Sequence, residues 1–227
     1  LEESIESKDR TQAFAARDIY RHPYETLSFF GIQPDMTVVE LNPGGGWYTE
    51  ILANYIHYPG TLITAQGSYY FEGFEKKMNS NPMYGRVEIV NLNSNLAEPN
   101  SVDAVVTFRN LHNWLGPEMD SIFENSFKAL RSGGSFGVVE HRANSGTDLE
   151  TMKKSGYVTE DHAIKVALKH GFALIAKSEI NANPKDTKDH PKGVWTLPPR
   201  LRLNDVDRDK YKSIGESDRM TLLFRKP

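Results

Sequence analysis

Two histidines sit beside charged and amide groups in this chain, and they are its natural proton acceptors. The first lies in Arg109-Asn-Leu-His-Asn-Trp114, where Arg109, Asn110, His112, Asn113 and Trp114 crowd six positions at the end of an apolar run. Imidazole accepts a proton near neutral pH, so His112 is the first candidate general base. The indole of Trp114 offers an apolar wall, or a ring face for a cation. The second histidine lies in Glu140-His141-Arg142. His141 is the alternative base and Arg142 a guanidinium clamp for an anionic substrate. Arg109, His112 and His141 are thus the catalytic candidates, with Asn113, Trp114 and Arg142 as substrate contacts. Residues 180–218 add Asn181, Asn183, Asp186, Asp189, His190 and Trp195, a set suited either to a polar substrate pocket or to turns. Asp186 and His190 are metal-ligand types, but their loop spacing forms no ligand pattern and no metal is expected.

A different chemistry is encoded in Thr37-Val-Val-Glu-Leu-Asn-Pro-Gly-Gly-Gly-Trp-Tyr-Thr-Glu-Ile-Leu52. A buried strand runs into a glycine turn and straight out into a helix. Gly44, Gly45 and Gly46 let the backbone approach a ligand, and the helix that follows presents unpaired N–H groups. The expected guest is nucleotide-like. About 20 residues past the last glycine, nucleotide folds place a carboxylate on the ribose hydroxyls. This chain has Gln66 there, whose amide oxygen accepts a hydrogen bond but carries no charge.

Alternating elements must position these groups. Strand-like runs at Thr37 to Leu41, Thr61 to Gln66, Val87 to Leu92, Ala104 to Arg109, Ser135 to Glu140 and Ala173 to Glu179 are separated by helical patterns at 48–56, 70–78, 119–131 and 159–170. That order predicts βαβ units in an α/β fold, whose ligands bind at the carboxyl ends of the strands. The strand Arg219 to Arg225 closes the chain without a crossover helix of its own. The predicted architecture is therefore a seven-stranded, mostly parallel sheet with an antiparallel last strand. Residues 180–218, between the last two strands, are too long for a simple connection and are expected to form a cap over the cleft. Residues 1–30 read as a polar, then amphipathic helical segment covering one flank of the sheet, and the whole of 1–227 as a single domain.

With 227 residues the chain can bury a substantial core, and its formal charge of −3, with Lys and Arg spread evenly, gives no footprint for nucleic acid. The apolar runs are strand-sized, so no membrane insertion is expected. The absence of cysteine removes disulfides, zinc-thiolate sites and thiol nucleophiles. The sequence starts at Leu1 rather than methionine, from which removal of upstream residues is expected.

The glycine turn resembles motif I of the class I S-adenosylmethionine (SAM) dependent methyltransferases, with Glu40 at the acidic strand end, Asn42 in place of the first glycine, and Gly44 and Gly46 as the second and third. Ser101 to Arg109 and Ala129 to Ala143 resemble the family's fourth-strand and fifth-strand motifs. Thr107 to Trp114, Glu179 to His190 and Gly215 to Thr221 resemble a branch of bacterial methyltransferases, many of them exported, which implies a periplasmic or otherwise exported location. The resemblance implies a Rossmann-like methyltransferase sandwich, SAM as cofactor, and methyl transfer to a small polar molecule. It further implies that Glu40, Asn42, Gly44, Gly45, Gly46, Gln66, Asn93 and Asn110 attend the cofactor, Asn93 being one of three asparagines (with Asn91 and Asn95) placed near the adenine. Two other readings stay open: a ligand-binding protein of the same fold without transfer activity, motivated by Asn42 and Gln66, and a nicotinamide-dependent oxidoreductase.

Overall fold

The structure is a computed structural model describing residues 1–227. Its seven strands are β1 (Thr37–Leu41), β2 (Thr61–Gln66), β3 (Val87–Asn91), β4 (Val102–Phe108), β5 (Leu130–His141), β6 (Ala173–Ser178) and β7 (Arg219–Arg225). They form one sheet in the order β3-β2-β1-β4-β5-β7-β6. The first five pair in parallel, and every connection between them except that from β3 to β4 carries a helix. β7 slots antiparallel between its two predecessors, setting Val138 opposite Leu222 and Ser178 opposite Thr221. The antiparallel β7 matches the methyltransferase expectation and departs from an all-parallel dinucleotide sheet.

Alternation along each strand divides the core between the two faces. Val39 and Leu41 join a cluster that contains Phe123, Phe136, Phe172 and Phe224, with the Phe123 and Phe136 rings 5.0 Å apart edge to face. Val38, one residue away, joins Leu27, Phe30, Ile32, Ile51 and Leu52 on the opposite face. Loss of the fully buried Phe136 ring would cost about 3–5 kcal/mol. Strand order reverses direction between β1 and β4, so their crossovers leave on opposite sides and a crevice opens at their carboxyl ends.

Two segments differ from the sequence reading. A helix at Leu149–Ser155, started by the Asp148 side chain accepting from the Thr151 amide at 3.0 Å, was not anticipated. The first thirty residues do more than flank the sheet. Pro23–Phe29 packs Leu27 on the core, but Phe14, Arg17 and Arg21, from the short helices that precede it, reach across the crevice and line it. His22, in the left-handed region at φ 41°, and Pro23 at the start of the next helix make the corner between the two parts. No helix is long and apolar enough to cross a membrane.

Candidate active site

The crevice is a cleft of about 1180 Å³. One wall is the glycine turn after β1. Gly44 lies in the left-handed region at φ 60°, and a Cβ built there meets no protein atom within 4 Å. Since Gly44 also lines the cleft, a side chain would project into the space a ligand would use. Gly45 lines the cleft beside Phe14, and its carbonyl accepts from Lys77 Nζ at 2.6 Å. Gly46 sits behind the wall, starting the helix Trp47–Tyr55, and a Cβ there would crowd Lys77 and Phe74. Glu40 lies deeper still: it is fully buried, accepts from Thr49 Oγ1 at 2.6 Å, and burial pushes its carboxyl up to about 7 against the pull of Thr49 and Lys77.

Three amides join the ends of β1, β2 and β4. Asn42, at φ 47° where the resemblance led one to look for glycine, donates to Asn110 Oδ1 at 3.0 Å and accepts from Gln66 Nε2 at 3.2 Å. Asparagine is among the few residues that tolerate that backbone. Asn110 donates in turn to the Leu41 carbonyl and Thr107 Oγ1. Asn42 and Asn110 line the cleft. Gln66 does not, which corrects its assignment to the ribose: it is fully buried, and its Oε1 has no partner. The cleft surface after β2 belongs instead to Gly67, Ser68 and the exposed Tyr69 and Tyr70. Asn93 lines the cleft, its backbone N–H held by Asn91 Oδ1 at 2.9 Å.

The opposite wall carries the histidines. His112 Nδ1 lies 3.0 Å from Glu140 Oε1, and the Glu140 carboxylate also accepts the backbone N–H groups of His112 and His141 at 3.3 and 2.7 Å. An acceptor-only carboxylate places the proton of His112 on Nδ1 and leaves the Nε2 lone pair free. The His141 ring stands 5.3 Å from that of His112, with its Nδ1 2.5 Å from Ser217 Oγ. Burial, reinforced by His112 and the nearby arginines, holds the His141 imidazole well below its usual pKa and therefore neutral. Ligating atoms of His112, Glu140 and His141 lie within 4.8 Å of one another, close enough to share a divalent ion. Spacing in sequence could not reveal this set, because His112 follows β4 while Glu140 and His141 end β5. Arg109 closes the group in a left-handed conformation at φ 62°, an arrangement costing roughly 1 kcal/mol in a residue with a Cβ. Asn113 is exposed at the rim, and Trp114 is buried with one face on the cleft.

The segment between β6 and β7 lines part of the cleft, and of the residues expected there only Trp195 does so. Val194, Trp195 and Leu197 face inward, and the Trp195 ring meets His112 edge-on with centroids 6.0 Å apart. Asn181, Asn183, Asp186 and His190 lie outside the lining and brace the segment instead. Asn181 bonds Thr26 and Thr221, Asn183 donates to the carbonyls of Ile214 and Glu216, and the buried Asp186 accepts from Tyr157, His190 and two backbone amides. Irregular backbone needs such partners wherever it leaves water. Arg142 is likewise no substrate clamp. Its guanidinium is taken up by Glu179, Asp218 and Glu160, which raise its pKa above the usual arginine value.

No protein-family model and no curated protein matches the sequence. Solved structures do match the fold. A SAM-dependent methyltransferase from Aquifex aeolicus superposes with a TM-score of 0.65 at 14% identity, over 98% of this chain and 97% of its own. Geranyl diphosphate C-methyltransferase from Streptomyces coelicolor, solved with Mg2+, geranyl diphosphate and S-adenosyl-L-homocysteine, gives 0.66 at 10% identity over 99% and 87%. The cyclase SpnF gives 0.65 at 15% identity over 97% and 86%. Sheet order, the antiparallel β7 and these superpositions agree: the chain has the fold of the class I SAM-dependent methyltransferases.

Proposed function

We propose that this chain transfers the methyl group of SAM to a small molecule bound between the glycine turn and the segment that covers it. The observation that carries the reading is that one cleft holds both the open face of Gly44 and the His112–Glu140 pair. The residues fit a nucleoside with an amino acid tail: Gly44 and Gly45 leave room for close backbone approach, and Asn93 and Asn110 offer amide edges. When bound, SAM supplies an electrophilic methyl on a sulfonium. The chain's own work is positioning and proton transfer. His112 Nε2 takes the proton from the acceptor's nucleophilic atom, and Glu140 holds Nδ1–H and balances the charge of the imidazolium. Trp195, edge-on to His112, walls the cleft on the side where the acceptor would lie. A cleft of about 1180 Å³ exceeds the range of roughly 300–1,000 Å³ usual for a single ligand, which leaves room for cofactor and acceptor together.

Calorimetric titration with SAM and S-adenosylhomocysteine tests the first half of this reading. Binding in the micromolar to roughly millimolar range is expected, and Gly44→Val should abolish it. Absence of heat with either compound, or binding indifferent to that substitution, would place the cofactor elsewhere. Binding of both without turnover on any acceptor would favour a ligand-binding protein of this fold, and SpnF shows that the fold is used outside methyl transfer.

A further inference from the structure

The acidic chain gathers its cations in the cleft. Seven arginine and lysine side chains line it against one carboxylate, Glu118, although the chain as a whole carries −3. Four guanidinium groups line the cleft near His141: Arg17 and Arg21 from the N-terminal segment, Arg109 after β4, and Arg219 at the start of β7. They share a single acid, Glu216, which pairs with Arg17 at 2.6 Å, with Arg21 at 3.4 Å and with Arg219. Burial alone would raise the Glu216 carboxyl, yet Arg219, Arg21, Arg109 and Arg17 together hold it well below the usual range. One carboxylate cannot satisfy four guanidinium forks. Arg17 Nη2, both Nη atoms of Arg21 and Arg219 Nε have no hydrogen-bond partner, and Arg21 and Arg219 are each only 2% exposed. Arg109 has burial and the neighbouring arginines acting on it, which depress its pKa to about 10. Buried charged donors without acceptors are costly, and clusters of arginine forks match the geometry of oxyanions. SAM does not settle this account. Its carboxylate is offset by its own ammonium and sulfonium, so it brings a net positive charge into a site with an excess of about three.

We propose that the acceptor carries a multiply charged oxyanion, a phosphate or diphosphate group, held by Arg17, Arg21, Arg109 and Arg219 beside His112. This rests on the methyl-transfer reading for the identity of the bound molecule as acceptor, while the anion site itself stands on the arginines. The cluster also supplies what transfer at that place requires. An anchored anionic head fixes the distance of the nucleophile from the His112 ring, and the surrounding cations favour the deprotonated nucleophile.

The test is calorimetric titration of the full chain with inorganic phosphate, pyrophosphate and acetate, each with and without saturating S-adenosylhomocysteine. The variants are Arg17→Gln and Arg109→Asn, the second chosen because asparagine accepts the left-handed backbone. Thermal melts confirm that each variant is folded. Pyrophosphate or phosphate should bind with one site per chain in the presence of S-adenosylhomocysteine, at least about tenfold tighter than acetate. Each variant should weaken that binding by about tenfold, the worth of one charge-assisted hydrogen bond. Failure of both anions to bind, binding untouched by both variants, or acetate binding as tightly as phosphate would overturn the proposal. Displacement of the anion by S-adenosylhomocysteine would overturn it too, by showing that the cluster serves the cofactor's carboxylate. Should S-adenosylhomocysteine not bind while phosphate still does, with both variants weakened, the oxyanion site stands and the methyl-transfer reading falls.

Discussion

Replacing Glu40 by glutamine should change how the stability of this protein depends on pH, and the structure sets the size of the effect. The carboxyl is fully buried beneath the glycine turn, accepts one hydrogen bond from Thr49 Oγ1 and titrates near 7, against an ordinary 4.5. Burial is the main cause. Below pH 4.5 both folded and unfolded chains hold the proton and the group is neutral in its effect. Between 4.5 and about 7 the unfolded chain has lost the proton while the folded chain keeps it, so stability falls as pH rises, and it levels off above 7. At about 1.4 kcal/mol per pH unit, the loss amounts to about 3 kcal/mol. Glu40→Gln keeps the shape and the acceptor for Thr49 but cannot ionise. Urea denaturation at several pH values from 4.5 to 8, with wild type and variant side by side, isolates this group because the other titrations cancel in the difference. The stability difference should move toward the variant by about 3 kcal/mol across that range, nearly all of it below pH 7.5. Parallel profiles would refute the reasoning and mean that the buried carboxylate is stabilised as an anion by groups the geometry does not show.

Other outcomes follow from the same geometry. His112→Ala should lower kcat by about 10²–10⁴-fold while SAM affinity stays within a few-fold, measured by steady-state kinetics beside calorimetry. Trp195→Ala should act mainly on the KM of the acceptor, since the indole borders the cleft on the side away from the glycine turn. Gln66→Asp should weaken SAM binding, because a buried carboxylate would face Asn42 Oδ1, the acceptor that Gln66 Nε2 now serves; tighter binding would restore the ribose assignment. Asp186→Asn should cost about 2–3 kcal/mol in urea denaturation, since the carboxylate is buried and accepts from Tyr157, His190 and the amides of Lys188 and Asp218.

The strands were legible because strands buried on both faces of a sheet read as short apolar runs, the parallel ones and the antiparallel β7 alike: Thr37 to Leu41, Thr61 to Gln66 and Arg219 to Arg225 have the same bounds in the sequence reading and in the structure. The glycine turn and the missing last crossover were legible too, each resting on local chemistry. What sequence could not supply was the partner of a charge. Arg142 looked free for a ligand, yet Glu160, Glu179 and Asp218 converge on it from separate elements. Arg17 and Arg21 lie in the segment read only as a flank of the sheet, and nothing in a local period says that such a segment will line a cleft. The asparagines and acids after β6 suggested a pocket by composition, but an irregular segment uses the same side chains to satisfy its own backbone. Only Trp195, apolar and surrounded by Val194 and Leu197, signalled the inward face.

The position of β7 bears on how this chain is made. It is the last of the seven strands to leave the ribosome, and it lies inside the sheet, hydrogen-bonded to β5 on one side and β6 on the other. Until it arrives, the edges of β5 and β6 that will face it carry unpaired amides. The same strand brings Arg219, and Glu216, three residues ahead of it, gathers Arg17 and Arg21 from the opposite end of the chain. The cleft therefore has no finished wall on any nascent chain that stops short of residue 219. Premature termination there would yield an aggregation-prone intermediate rather than a merely destabilised fold, and synthesis of this fold should depend on chaperone capacity.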